Sequence, residues 1–190
     1  MDLFTAIKER RSCRSFLPDP VSDADLETII GAAINAPSPI NSQPWNFVVI
    51  TAGETKEKIH SEAVRCRNFL LETSGWRWLG KYDLEFLRKV PAMIAVIGNP
   101  KKSGADIFME GGAGAWREAC AAAVQTMMLA AQSVGLSTLW FTMFDKGNIK
   151  QLLGIEGEAV PLAIVMVGKA AAAVEATPRK SFEEVVRYIR

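Results

Sequence analysis

Three arginines, Arg10, Arg11 and Arg14, stand within five positions in RRSCRSF, with the hydroxyl of Ser12 among them. A guanidinium stays charged at physiological pH and presents its donors in a fixed fork, the geometry that suits a phosphate. The segment follows a short helical pattern over residues 2–10, with Asp2 as candidate N-cap and Leu3, Phe4 and Ile7 on one side. An anion brought to the C-terminal end of that helix meets the wrong end of its dipole, so side chains must hold it. Solvated charge plus a helix C-cap explains any one of these arginines better than anion binding does. It does not explain the cluster.

A second constellation, APSPINSQPW at 36–45, follows directly on another helical pattern. Asn41 and Gln43 carry neutral amides that both donate and accept, as the alternating edge of a heterocycle requires. A proline-rich turn with local hydrogen bonds is the competing explanation, and taken alone it is sufficient. Groups for other chemistries are missing. The one histidine, His60, lies in a polar helical stretch without a cysteine partner and reads as a surface residue. Triads and metal catalysis therefore lack parts, and no acidic pair has a recognisable hydrolytic context. Cys13, Cys66 and Cys120 are too scattered for a zinc site or a disulfide framework and read as reduced thiols of a cytoplasmic protein. GGAG at 111–114 lacks the third glycine and the buried strand of a dinucleotide fingerprint, and reads instead as a tight turn into a helix. A chain poor in catalytic side chains but rich in binding groups is the profile of a protein whose cofactor does the reaction.

Composition argues the same way. Lys plus Arg is 22 against 21 for Asp plus Glu, so no overall field draws the chain to nucleic acid or an anionic membrane, and the arginine cluster must serve something local. The N-terminus has acids and arginines where a secretory signal would be apolar. The most apolar helical stretch, 119–136, is interrupted by Gln125, Thr126, Gln132 and Ser133 and is too polar to span a bilayer. Residues 1–190 read as one domain, long enough for a core without staples.

The elements that must position these groups are legible. Ser22 and Asp25 form a capping pair ahead of Leu26, Ile29, Ile30, Ala33 and Ile34, which repeat with helical spacing. FVVIT at 47–51 and AMIAVIGNP at 92–100 read as strands, as do STLWFT at 137–142 and PLAIVMVG at 161–168. Between them lie a weakly patterned helix from Glu54 to Leu71, a loop SGWRWLGKY at 74–82, a long helix from Ala115 to Val134 ended by Gly135, and a helix from Asp145 to Gly154. Strands apolar on both faces and separated by helices imply a sheet covered on both sides. Residues 119–131, ACAAAVQTMMLAA, have almost no polar face, and a helix apolar all round must be covered all round. A partner subunit packing on it about a two-fold axis is the economical cover; a central helix of a monomer is the other.

RRSCRSF and APSPINSQPWNFVVI, followed by TMMLAAQSVGLSTLWF at 126–141 and PRKSFEEVV at 178–186, together resemble the FMN-dependent nitroreductase family. The match spans most of the chain and is loose over 66–110. The resemblance implies an α+β fold, a mixed central sheet sandwiched by helices, in an intertwined homodimer with FMN at the interface. It implies that Arg10, Ser12 and Arg14, with Arg11, and Arg179 with Lys180, hold the FMN phosphate and ribityl chain. It further implies that Pro37, Ser38, Pro39, Asn41 and Gln43 reach the flavin from the other subunit. Where many members carry a Glu-Gly pair facing flavin N5, this chain has Thr142 and Met143, which leaves a backbone donor but no side-chain contact. Trp76 and Trp78 are candidates to cover the substrate or simply to pack under a loop. The implied activity is hydride transfer from NAD(P)H through FMN to a nitroaromatic, quinone or similar acceptor by a ping-pong scheme, with no catalytic side chain and no metal. The alternatives are a reductive dehalogenase-like or flavin-cleaving synthase-like enzyme of the same fold, or a flavin-binding sensor without turnover.

Overall fold

The computed structural model describes residues 1–109 and 114–190. Helix α1 (Leu3–Glu9) begins at Asp2, whose carboxylate accepts from the Thr5 amide, and α2 (Asp23–Ile34) begins at Ser22, whose hydroxyl accepts from the Asp25 amide. These are side-chain caps of the kind the sequence pattern predicts. A 3₁₀ turn at Pro39–Asn41 leads into β1 (Trp45–Ile50), then α3 (Gly53–Thr73). Residues 74–82 are not a plain loop: they wind a 3₁₀ turn at Arg77–Lys81, and α4 (Phe86–Lys89), too short to show a period, precedes β2 (Ala92–Gly98). After a 3₁₀ turn at Gly104–Phe108 come α5 (Ala115–Ser133), β3 (Ser137–Phe141), α6 (Lys146–Leu152) capped by Asp145, β4 (Val160–Gly168) and α7 (Phe182–Val185).

The strands form one sheet in the order β1-β2-β4-β3, each neighbouring pair antiparallel. The parallel component of a mixed sheet enters at the β3 edge. There Ser12 bridges Thr138 in parallel, and the Cys13 amide donates to the Thr138 carbonyl at 2.9 Å. The arginine segment is thus laid along β3, and Phe16 continues it by bridging Ala170.

Side-chain alternation on the two central strands builds two cores. Ile94 and Val96 of β2 and Val165 of β4 face α2 and α5, meeting Ile29, Trp116 and Met127. Met93 and Ala95 with Ile164 and Met166 face the other way, onto Ile59 of α3, Leu87 of α4 and Ile149 of α6. Gly98 lets the first core close: a Cβ there would stand 2.4 Å from the Trp116 ring.

Helix α5 is only partly covered by its own chain. Ala119, Cys120, Ala123, Val124, Met127, Met128 and Ala131 are buried, whereas Ala121, Ala122, Leu129 and Ala130 are half-buried and Gln125 is exposed. Residues 171–190 are exposed throughout, Phe182, Tyr188 and Ile189 among them. Within this arm α7 carries a complete capping box, Ser181 with Glu184, a signal that the neighbouring basic residues obscure in the sequence. No helix among the described residues is long and apolar enough to cross a membrane.

Candidate functional site

Helix α1 ends where the arginines begin. Arg11 turns back over that end, its Nη1 donating to the carbonyls of Lys8 at 2.6 Å and Arg10 at 2.8 Å, which makes it a C-cap as well as a charge. Arg10 is half-buried, and burial first, then the charges of Arg11 and Arg179, push its guanidinium below its ordinary value. The C-terminal arm therefore returns Arg179 to the neighbourhood of Arg10. Arg179 is braced by donating from Nη1 to the Thr177 hydroxyl at 2.8 Å, and Lys180 follows it in the exposed arm. None of Arg10, Arg11, Arg14, Arg179 and Lys180 pairs with a carboxylate among the described residues. Converging cations without a counter-charge repel one another, and an anion relieves that repulsion.

Because the segment runs parallel to β3, Arg14 emerges near the end of that strand and enters a cleft of about 310 Å³ with Trp140, Thr142 and Met143. Trp76, Trp78 and Tyr82 form the facing wall. The Arg14 Nε donates to the Tyr82 hydroxyl at 3.0 Å, and the guanidinium lies 5.7 Å from the centre of that ring. Trp76 stacks on Trp78, and Trp78 meets Tyr82 edge-on. Both tryptophans remain more than half exposed, at 54% and 57%, which leaves aromatic surface beyond their mutual stack for a planar ligand. Tyr82 carries no sequence signal of this role, since a lone tyrosine in a loop has no periodicity to betray it. Thr142 and Met143 follow β3 directly, and the Met143 amide donates to no acceptor among the described residues. A second chamber of about 360 Å³ shares Leu70, Thr142 and Met143 with the first and adds Arg65, Cys66 and Asp145.

Pro37, Ser38 and Pro39 lie elsewhere, in a groove against Ala119 and Ala122 of α5. The loop is strained: Ile40, Asn41 and Gln43 all have positive φ, at 48°, 56° and 43°. Such conformations cost of order 1–3 kcal/mol each and persist where surrounding contacts impose them. Here the Gln43 amide donates to the Ser38 hydroxyl at 3.1 Å and the Ser42 hydroxyl to the Lys102 carbonyl at 2.9 Å. Gly104, at φ +71°, packs so closely that a Cβ would stand 2.6 Å from that of Pro39. The result is to hold Asn41 and Gln43 exposed, beside the incompletely covered stripe of α5. Within one chain they do not share a cleft with the arginines.

Two expectations are corrected. His60 is not a surface residue: it is 8% exposed on the inner side of α3, with Nε2 3.4 Å from Glu85 of the turn before α4. A polar sequence neighbourhood hides a position that tertiary packing covers. Gly114 does turn into α5, its carbonyl accepting from the Arg117 amide at 2.8 Å, but the turn does not need a glycine there: its φ is −106° and a Cβ would meet nothing closer than 3.9 Å. The start of α5 is held from outside instead, Asp106 Oδ2 accepting from the Gly114 and Ala115 amides at 2.7 Å and Ser103 from Trp116. Residues 111–113 of the GGAG stretch lie outside the described residues. Among the described residues no group of acidic, histidine or cysteine side chains could hold a metal ion, and the three cysteines are free.

A helix-covered sheet with an uncompensated cation cluster leading into an aromatic cleft is the frame of a small-ligand-binding protein, and comparison with known proteins names its family. The chain belongs to the nitroreductase family, whose model matches residues 7–169. It is 31% identical to a protein of Archaeoglobus fulgidus named for NADH dehydrogenase and NAD(P)H nitroreductase, over 85% of this chain and 82% of that one. It is 27% identical to the 5,6-dimethylbenzimidazole synthase of Rhodospirillum rubrum, over 84% of this chain and 77% of the relative. Among solved structures, oxidized iodotyrosine deiodinase bound to FMN and 3-iodo-L-tyrosine superposes with a TM-score of 0.85 over the whole of both chains, at 23% identity.

Proposed function

We propose that the protein is an FMN-dependent NAD(P)H oxidoreductase acting as a homodimer with the cofactor at the subunit interface. The observation that carries this reading is the convergence of Arg10, Arg11 and Arg179 without a carboxylate, a fit for a dianionic phosphate. Arg14 then stands at the isoalloxazine end, in the same cleft as the Met143 amide, which donates to no acceptor among the described residues, and Ser12 lies between Arg14 and the cation cluster. Held there, FMN would supply the hydride chemistry between NAD(P)H and a nitroaromatic, quinone or similar acceptor in a ping-pong scheme. Arg14 supplies fixed positive charge where reduced flavin is negative. Trp76 and Trp78 offer stacking surface to the planar acceptor. The strained Pro37–Gln43 loop and Lys180 complete the site, the loop from the partner: in one chain it sits apart from the arginines but beside the open stripe of α5, where a second copy would pack.

The synthase relative and an iodotyrosine deiodinase relative support a second reading, a specialised flavin enzyme of the same fold, flavin-cleaving synthase-like or reductive dehalogenase-like. One series of measurements separates the readings. Purified protein should be yellow and dimeric, and anaerobic NADPH should bleach it. Re-oxidation by a nitroaromatic or quinone supports the first reading, and oxygen uptake without acceptor turnover the second. A protein that binds FMN but stays oxidised is a sensor. Colourless, monomeric material that takes up no FMN refutes the proposal.

A further inference from the structure

The Thr142–Asp145 turn lines both chambers of the cleft, yet it is exposed at Thr142 and Asp145 and belongs to no regular element. Phe144 packs it onto the core, its amide donating to the Thr142 carbonyl at 2.9 Å, and the side-chain hold on its far end comes from α3. The Glu62 side chain is 8% exposed and both of its oxygens are engaged. Oε1 accepts from the Asp145 amide at 2.9 Å, from Arg65 Nη2 at 2.8 Å and from the Cys66 thiol at 3.1 Å. Oε2 accepts from Arg65 Nε at 2.8 Å and from the Asn148 side-chain amide at 3.0 Å. Two of the five donors lie on the turn and the first turn of α6; the other three are on α3 itself. Asp145 in turn caps α6 by accepting from the Asn148 amide at 2.9 Å, so Glu62 grips both ends of one capping unit.

We propose that Glu62 is the positioning residue of the flavin-facing turn: from α3 it anchors Asp145 and Asn148, and so sets where the Met143 backbone N–H stands in the cleft. This rests on the FMN reading above, but its argument lies in the protein's own hydrogen bonds. A buried carboxylate is costly unless fully bonded, so a site that spends one here must gain geometry from it. Only an ionised, acceptor-only group can take all five donors. Glutamine at this position would turn an amide N–H₂ toward Arg65 Nε or the Asn148 amide, donor against donor. The turn is four residues long and continuous with the rigid end of β3, so release at Asp145 is felt at Met143.

The test compares wild type, Glu62→Gln, Asn148→Ala and the double variant Glu62→Gln/Asn148→Asp, each loaded with FMN. The double variant restores donor–acceptor matching at the contact with residue 148, one of the two that tie α3 to the capping unit, with the charge moved across it. Glu62→Gln should keep its FMN, because the phosphate cluster lies elsewhere. Its 142–149 amides should lose about tenfold in hydrogen-exchange protection, the loss expected for one buried charged hydrogen bond. Its kcat with NAD(P)H should fall about tenfold while KM stays within about twofold, the signature of misplacement rather than lost binding. The double variant should recover most of both. If Glu62→Gln fails to fold, Asn148→Ala, which deletes one donor at an exposed position, should show the same two effects at smaller size. Unchanged protection, an unchanged kcat with FMN bound, or a double variant as impaired as the single one overturns the proposal. Failure of wild type to bind FMN overturns the functional reading instead, and the exchange comparison on the unloaded proteins still reads the hold of Glu62 on the turn.

Discussion

Replacing Arg10 by glutamine separates a binding site from a structural cluster, because the two accounts predict opposite signs. In the folded chain Arg10 is half-buried, repelled by Arg11 and Arg179, and paired with no carboxylate among the described residues. Its charge therefore works against the unloaded fold. Folding lowers the pKa of this base, so the cation is less favoured in the native state than in the unfolded one, and the penalty is relieved only in strongly alkaline solution. At neutral pH the variant without FMN should be as stable as the parent, within about 0.5 kcal/mol, or more stable. With FMN the sign reverses. A charge-assisted hydrogen bond to phosphate is worth about 1.5–3 kcal/mol, which predicts a rise in the FMN Kd of about 10- to 150-fold. Raising the salt concentration should weaken the parent more than the variant, since one cation fewer is screened. Denaturant titration of the unloaded proteins and flavin fluorescence titration read the two quantities. If Arg10→Gln destabilises the unloaded protein while leaving the FMN Kd unchanged, the cluster serves the fold and the argument for a phosphate site fails.

Arg14→Gln should lower the flavin midpoint potential, because it removes positive charge from beside the reduced ring; an unchanged potential in a fully loaded variant, measured by dye-coupled reduction, refutes that role. Glu62 is held near pKa 2, chiefly by its bonds to Arg65, the Asp145 amide, Cys66 and Asn148. A carboxylate whose pKa is lowered by folding contributes stability that is whole above its ordinary value of 4.5 and is lost as pH falls through about 2. The Tm of wild type should therefore drop more steeply between pH 5 and pH 2 than that of Glu62→Gln. Gly98→Ala places a Cβ 2.4 Å from the Trp116 ring and should cost about 1–3 kcal/mol in urea unfolding, as overpacking of the core requires.

Much of the molecule is legible in its sequence. The caps at Asp2, Ser22 and Asp145 are local hydrogen bonds between residues three apart, so both partners stand side by side in the chain. The four strands and the long helix are equally visible, because short β-branched apolar runs bounded by turn residues, and one apolar run too long for a strand, are continuous along the chain. The clustering of Arg10, Arg11 and Arg14 needs no folding to be seen. His60 and Glu62 are the counterexamples, the first resembling an exposed residue and the second carrying no signal at all. Both sit in the polar stretch KIHSEAVRCR, and what buries them is packing against residues far along the chain, Glu85 for the first and Asp145 and Asn148 for the second. Tyr82 is hidden for the same reason, its partner Arg14 lying 68 residues away.

The set of elements and the local density of charge are properties of the chain as written, since both arise from neighbours along it. The return of Arg179 to Arg10, the cleft that Arg14 shares with Trp76 and Trp78, and the separation of the Pro37–Gln43 loop from both exist only in the folded molecule. Those outcomes depend on how strands pair and helices pack across long separations, and no local pattern records a distance between residues that meet only when the sheet closes.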